Sequence, residues 1–579
     1  MHIYRTQSAA HIPTPVWMRL LRLCFGVVQL CLSFPQAFLF ALVGLLLFHV
    51  SGSYASVTDQ RGYERTFSYF EDGSIHEVAF SDGGTSDPDY IDAPTVTYSY
   101  DPYFNRVLTE TTEGSPDDYT YQYYGFTGDG NANRLETTTI AKLRDSQTVS
   151  HDIDYAYDDL GRLLTRTFRS DTETHGYDAL DRLETLNDPL GDFAYGYEEL
   201  TGRILSVQHS VSSVNGLRTD LGYAHKTTGG EERKLPFLEH ITHSVPSGTI
   251  SQHHYLRNEN GWIDLWQQND GTLWQSHDYR YDQAGQLETT RKYDGLDANS
   301  PLLERNEFRY DRAGNRRVVQ TDGEQLNDTH NGLNQLSARS VEGGTLFHGT
   351  ISEEGKVFVQ KLDGGGAVVE SVEAKLYSGN DFYASLDLDS GTHTIRIVAR
   401  DIHGETTTQD YSVVVATATD ESFTHDAAGN LTTWTKADGT VITYKWDAAN
   451  RLREVLVDSV QIKSFEYDGA GRMTRATDAS GNQNDYYWDG LESLGRENVD
   501  VSPTVYRRYL TQGFTESLDG VTASKYYVTR DHLGSTREVL DDTYTPVAKY
   551  DYSTWGGVTK LSGIIDADQL YTGHLYFPD

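Results

Sequence analysis

Apolar and polar positions along most of this chain alternate in runs of five to eight residues, and each run is closed by Asp, Asn or Gly. The clearest stretch reads Phe423-Thr-His425-Asp426-Ala-Ala-Gly429-Asn430-Leu431, then Tyr444-Lys-Trp446-Asp447-Ala-Ala-Asn450-Arg451-Leu452. It continues as Phe465-Glu-Tyr467-Asp468-Gly-Ala-Gly471-Arg472-Met473 and closes on Tyr486-Tyr-Trp488-Asp489-Gly490. The acids at 426, 447, 468 and 489 stand 21 residues apart, and a fixed period of this size marks a repeat architecture. Two aromatics at i and i+2 share one face of a strand. The Asp after them suits a turn in which its carboxylate bonds the backbone ahead. Gly429, Asn450 and Gly471 suit the positive φ such turns require. One period therefore predicts strand, turn, strand, turn: a meander of antiparallel hairpins. No long helical periodicity appears after residue 60, and the fold class is all-β.

Earlier copies are less regular. They stand at Tyr100-Asp101 with Asn105-Arg106, Tyr157-Asp158 with Gly161-Arg162, Tyr177-Asp178 with Asp181-Arg182, and Tyr197-Glu198 with Gly202-Arg203. A second group has Tyr281-Asp282 with Gly285 and Tyr310-Asp311 with Gly314. The phrase resembles the YD repeat of the Rhs family, the module of teneurin shells and of the C-components of insecticidal toxin complexes. Tyr526-Tyr-Val-Thr-Arg530-Asp531-His532-Leu-Gly534-Ser535 resembles the Rhs repeat-associated core region. The resemblance covers most of residues 60–579 and implies a spiral antiparallel sheet forming part of a shell wall. It also implies that the tail of the core, a self-cleavage site and a toxin lie beyond Asp579, so the chain reads as C-terminally truncated. No protease residue is carried over.

Residues 337–420 break the phrase. Alternating strands such as Val357-Phe-Val359, Thr394-Ile395-Arg396-Ile397-Val398 and Tyr411-Ser-Val413-Val-Val415, with Gly-rich turns between them, predict an inserted immunoglobulin-like β-sandwich projecting from the array. The organisation expected is a leader over 1–58, a first array over 59–336, the sandwich over 337–420, and a second array with the start of the core over 421–579. Residues 226–260 lose the pattern and are expected to be a long excursion within the first array.

The leader is read from Leu23 to Val50, an almost uncharged run behind Arg5, Arg19 and Arg22, with no acid before Asp59. About 20 apolar residues span a bilayer as a helix. Ser53-Tyr54-Ala55 has the form of a signal cleavage site, with Ala55 at its end. An uncleaved membrane anchor is the alternative, and either way the segment is the chain's one expected membrane contact.

Tyr outnumbers Phe 39 to 21 and Gly reaches 52, which suits aromatic ladders and turns. Both cysteines, Cys24 and Cys31, fall in the leader, which excludes a Cys-based site in the exported part. The net charge of −37 repels phosphate backbones and argues against a nucleic-acid partner. The 20 histidines are scattered. His253-His254 and Glu239-His240-Ile-Thr-His243 lack metal-ligand spacing. Asp129-Gly-Asn131-Ala-Asn133 opens like an EF-hand, then fails with Arg134 at the sixth position and Ile140 at the twelfth. No metal site or cofactor is expected. Asp531, His532 and Ser535 hold the ingredients of a catalytic triad, yet three neighbours on one turn do not converge as a triad must. The expected role is a non-enzymatic exported scaffold whose partner is a downstream toxin or other protein. A carbohydrate- or cell-binding adhesin taking a surface glycan stands second, and a hydrolase third.

Overall fold

The computed structural model describes residues 54–577, apart from the short stretches 115–116, 126–132, 145–146, 200, 212–213, 229–230, 322–323, 342, 377–380, 416–419, 500–503 and 519–522. The expected apolar helix, both cysteines and the EF-hand-like opening lie outside these residues. The described chain forms 44 strands, from β1 (Tyr54–Thr58) to β44 (Val558–Gly563), and one three-residue 3-10 turn at Tyr571–Gly573. No described helix is long and apolar enough to cross a membrane. Ala55 lies inside β1, opposite Phe67 of the next strand, so the sheet begins within the segment expected to be leader.

Thirty-seven strands form a single antiparallel sheet in which each strand pairs with the next along the chain. The pattern-poor stretch is part of it: β14 (Val214–Thr228) and β15 (Glu231–Val245) pair as one long hairpin. The other seven strands, between Gly343 and Val415, make a three-stranded and a four-stranded sheet facing each other. This sandwich is spliced between β23 (Leu336–Ser340) and β31 (Glu421–His425), which pair directly through Ala338 opposite Ser422 and Arg339 opposite Glu421.

The sheet does not stay flat. Paired residues on neighbouring strands point to the same side, so the registers carry one face through the whole array. Tracing them from β8 (Gln147–Tyr157) to β43 (Pro546–Tyr552) puts Ile153, Glu173, Phe193, Ser251 and Lys292 on one face. Tyr487, Arg508, Tyr527, Glu538 and Asp551 fall on the other. These two sets meet. Glu173 pairs with Arg508, Ser251 with Glu538, and Lys292 with Asp551. Opposite faces in contact, with 144 against 485, 173 against 508 and 292 against 551, describe a scroll. A sheet folded flat on itself would bring like faces together in reversed order.

The first pass, β1–β23, is the outer layer. Its outward side chains are polar and exposed, as in Thr139 with Asp152 and Asn187 with Asp192. The second pass, β31–β44, lies inside. Its concave face is apolar and is covered by the last described segment, where Ala567 and Leu570 pack on Tyr509, Val528 and Val539 and Phe577 on Phe465 and Tyr486. Apolar clusters also cross between layers, for example Leu186, Leu190 and Phe193 with Tyr527 and Leu540. The sandwich rests on the outer surface through Arg280 and Arg291, both on Asp381 at 2.7 and 2.9 Å.

Candidate functional site

Each copy of the aromatic–acid phrase builds the same turn. In Asp158–Arg162, one carboxylate oxygen accepts the N–H groups of Leu160 and Arg162 at 3.0 and 2.9 Å, and the other accepts Arg162 Nε at 2.7 Å. Gly161 sits at φ 80°, and the register slips by one between Ala156 and Tyr157, the mark of a three-residue hairpin loop with a bulge. Asp282, Asp311 and Asp468 accept the same N–H four residues on at 2.9 Å, with Gly285, Gly314 and Gly471 in the left-handed region. Asp101 is a longer variant, in which Asn105 takes the positive φ and Arg106 the carboxylate.

The tyrosine before the acid links one copy to the next. Tyr177, Tyr281, Tyr310 and Tyr467 each donate their hydroxyl to the carbonyl opening the second strand of the preceding copy, at 2.8–2.9 Å. Trp446 and Trp488 do the same with indole N–H at 2.7 Å. The turn arginine lies over the next tyrosine ring, 4.6 Å for Arg162 on Tyr177. A donor at the aromatic's tip explains the excess of Tyr over Phe. Tyr100 and Tyr157 occupy the same position at the ends of their strands.

What differs between the passes is burial. Asp447 and Asp468 are fully buried and Arg472 nearly so, because second-pass turns press on the first pass. Arg61 donates to the carbonyls of Asp447 and Ala448, Gly469 N–H to Thr112 Oγ1 at 3.0 Å, and Arg472 covers the Tyr119 ring at 4.2 Å. Further along, ion pairs fill the gap between layers. Arg144 meets Asp485 and Glu497 at 2.7 and 2.5 Å. Arg166 meets Glu173, Asp489 and Glu492. Lys142 Nζ lies 2.6 Å from both Asp117 oxygens. Burial pushes the Asp117 carboxyl up to about 6 despite Lys142, and likewise Asp188 to about 7.

The core motif is one more copy of the turn, set in this gap. Asp531 accepts the N–H groups of Leu533 and Ser535 at 2.9 and 3.0 Å and Arg537 Nε at 3.1 Å, with Gly534 at φ 82°. His532 donates its backbone N–H to Tyr255 Oη and lays its ring 4.5 Å from that ring. Ser535 Oγ accepts the Thr572 N–H at 3.1 Å. Acid and hydroxyl thus bond different neighbours and not His532, whose ring is held by its contact with Tyr255 and has its Nδ1 buried without a hydrogen-bond partner.

The scroll brings to this point the histidines that looked scattered. The Nε2–H of His243 donates to the Arg530 carbonyl at 3.0 Å. His253 accepts Trp266 Nε1–H at 3.3 Å, and His277 stacks on Trp266 at 4.9 Å. Burial holds His243 and His532 down at about 4 and His277 at about 3, and His253 well below its ordinary value. Between the layers lies a cavity of about 440 Å³, lined by Trp266, His277, Tyr279, Tyr552, Arg537 and Asp551 among others. Among the described residues no group of three or more His, Cys, Asp or Glu is arranged to hold a metal ion.

Sequence reading missed these interlayer residues because their partners lie 259–387 positions away. One signal was present. Arg507-Arg508 sit side by side in an apolar strand, so one must point to each face, and both are buried.

A chain of hairpins that is its own neighbour's support is a β-repeat protein. The RHS Repeat family model matches residues 157–192 and 425–460, so the chain carries RHS repeats in both passes. Among solved structures it is similar to a chain of the TcdB2-TccC3-Cdc42 complex (13% identity, 90% of this chain, 35% of that one, TM-score 0.21). It is also similar to a chain of the Photorhabdus luminescens Tc holotoxin pore (11% identity, 87% and 35%, TM-score 0.17). A porin-like protein of Bacteroides uniformis matches as well (10% identity, 48% and 92%, TM-score 0.16). The chain spans about a third of the two toxin-complex chains. No curated protein matches the sequence.

Proposed function

We propose that this protein is a non-catalytic, exported scaffold: a rolled Rhs/YD wall that presents surfaces and carries or contacts a partner protein, such as a toxin. The observation that carries this reading is the use made of the motif. Its acids, arginines and tyrosines are taken up by turns and interlayer pairs, and the Asp531 carboxylate and Ser535 hydroxyl bond backbone N–H groups and Arg537 rather than the His532 ring. The apolar leader with its basic flank supports export. Protease treatment of intact producing cells tests it: a surface or secreted scaffold is digested or released, while full protection inside the cell refutes export. A panel of ester, glycoside and peptide substrates should return no turnover, and any turnover abolished by Asp531→Asn with His532→Ala would refute the scaffold.

A second reading, glycan adhesion, draws on the interlayer cavity, where aromatic rings stand beside paired charges and hydroxyls, the mixture that sugar sites use. A glycan array probed with the full chain and with a Tyr279→Ala variant checks it. Binding that the variant loses supports adhesion, and an empty array refutes it.

A further inference from the structure

The sandwich is short of one strand. Its four-stranded sheet runs β26 (Val368–Glu373), β25 (Gly355–Leu362), β29 (Gly391–Asp401), β30 (Thr406–Val415). Facing it are β27 (Lys375–Leu376), β28 (Asp381–Leu388) and β24 (Gly343–Thr350), and among the described residues no strand beside β24 covers β30. The register shows the consequence. Thr407, Gln409 and Tyr411 pair with Ala399, Ile397 and Ile395, so they point toward the sandwich interior, yet all three are exposed. Val357, Val359 and Ile395 on the adjoining strands are completely buried. Between β24 and β30 runs a groove of about 490 Å³ lined by Phe347, Ile351, Phe382, Ile397, Ala399 and Val413.

The two rims of the groove differ. On β24, the Leu346 N–H donates to Gln320 Oε1 and Gln325 Oε1, and the Leu346 carbonyl accepts Gln320 Nε2. Side chains of the large sheet thus stand where a neighbouring strand's backbone would pair. The rim on β30 is open. It pairs with β29 over ten residues without a bulge and contains no Pro and no Lys, and its one charge, Asp410, is paired with Arg396, so few of the devices by which edge strands resist pairing are present. An open edge of backbone donors and acceptors beside an apolar trough fits an extended strand better than a helix or a small molecule.

We propose that the sandwich is extended in trans: an extended segment of a partner protein pairs with the edge of β30, lengthening the four-stranded sheet, and turns alternate apolar side chains toward the groove. The described chain does not supply this strand, because within a few residues on either side of the sandwich it is paired as β23 and β31. A second copy is disfavoured by electrostatics, since two chains of net charge −37 repel each other on approach. Charge complementarity therefore favours a neutral or basic segment of a different protein as the occupant. The sandwich lies on the outer layer of the scroll, where such a segment has access.

The test uses the full chain and a fluorescein-labelled dodecapeptide of alternating Val and Thr with Lys at both ends, against a scrambled peptide of the same composition. Saturable binding, with new hydrogen-exchange protection over 406–415, is the expected result. Gln409→Lys places a charge in the groove at an exposed position and should weaken binding by about tenfold or more, with an unchanged melting profile reporting that the sandwich is intact. Equal binding of the scrambled peptide, no binding at millimolar peptide, or insensitivity to Gln409→Lys overturns the proposal. So does a concentration-dependent dimer that protects 406–415 without peptide.

Discussion

A single carboxylate does different work in the two layers. Asp158 organises a turn at the solvent rim, with Arg162 half-exposed beside it. Asp468 makes the same bonds while fully buried and holds Arg472 in the gap between layers. Removing one partner of a buried pair leaves the other charge uncompensated, at a cost of about 3–5 kcal/mol. Asp468→Ala should therefore lower stability by about that much, and Asp158→Ala by clearly less, read from denaturant midpoints of the two variants. Tyr467→Phe removes only the hydroxyl bond to Leu452 and should cost about 1 kcal/mol.

The histidines set a pH response at the same scale. His243 is held near 4 in the fold by burial among the Arg530 carbonyl, the Thr219 hydroxyl and the Arg530 and Asp531 charges, against about 6.5 when free. Between those values the unfolded chain binds more protons, so stability rises with pH. This contribution is complete above about 6.5 and is lost as pH falls through 4. Asp188, raised to about 7, works in the opposite sense, so the comparison must be made by difference. His243→Asn should flatten the fall in denaturation midpoint between pH 7 and 4.5. An unchanged slope would count against the assignment. At this scale the turns were legible, because an Asp with Gly or Asn three residues on specifies its geometry locally. The interlayer pairs were not, because an arginine does not show where a sheet will roll.

At the scale of elements, the hairpin period was readable from alternation, while β23 of the array (Leu336–Ser340) runs past 337, where the insert was expected to start. The long hairpin β14–β15 was not readable, because Gly229-Gly230, Pro236 and Pro246 mask two fifteen-residue strands. The attachment of the sandwich yields a prediction. Arg339 and Glu421 are already opposite each other, so the chain enters and leaves the sandwich at one ladder rung. Replacing residues 341–420 with an Asn-Gly turn should leave the array folded, with hydrogen-exchange protection of β23 and β31 retained. Loss of protection across both strands would show that the sandwich is needed to join them. The sandwich was expected to project; instead Asp381 anchors it to Arg280 and Arg291, a contact for which no sequence signal existed.

At the scale of the molecule, fold class and repeat identity came from the sequence, but the winding did not. It emerges only when strand registers are followed through the array and found to bring opposite faces together. The scroll is held by apolar clusters that cross the gap and by ion pairs such as Arg508 with Glu173. Arg508→Ala leaves Glu173 with Arg166 as its one remaining cation and should cost about 1.5–3 kcal/mol, loosening the inner pass. Small-angle scattering should show a larger radius and proteolysis a new cut in the second pass. A variant as compact and resistant as the parent would mean that the apolar clusters suffice.

The co-directional winding sets a timetable for synthesis. Arg61 waits for Asp447 and Ala448, which leave the ribosome 386 and 387 residues later, or roughly 20–80 s at 5–20 residues per second. Until then those inner-surface charges whose partners lie in the second pass, such as Arg61 and Arg144, face water unmatched beside apolar residues of the same face, and such charge favours solubility of the half-made protein. A seam of leucines would close more readily in the finished molecule and would leave the nascent one prone to aggregate.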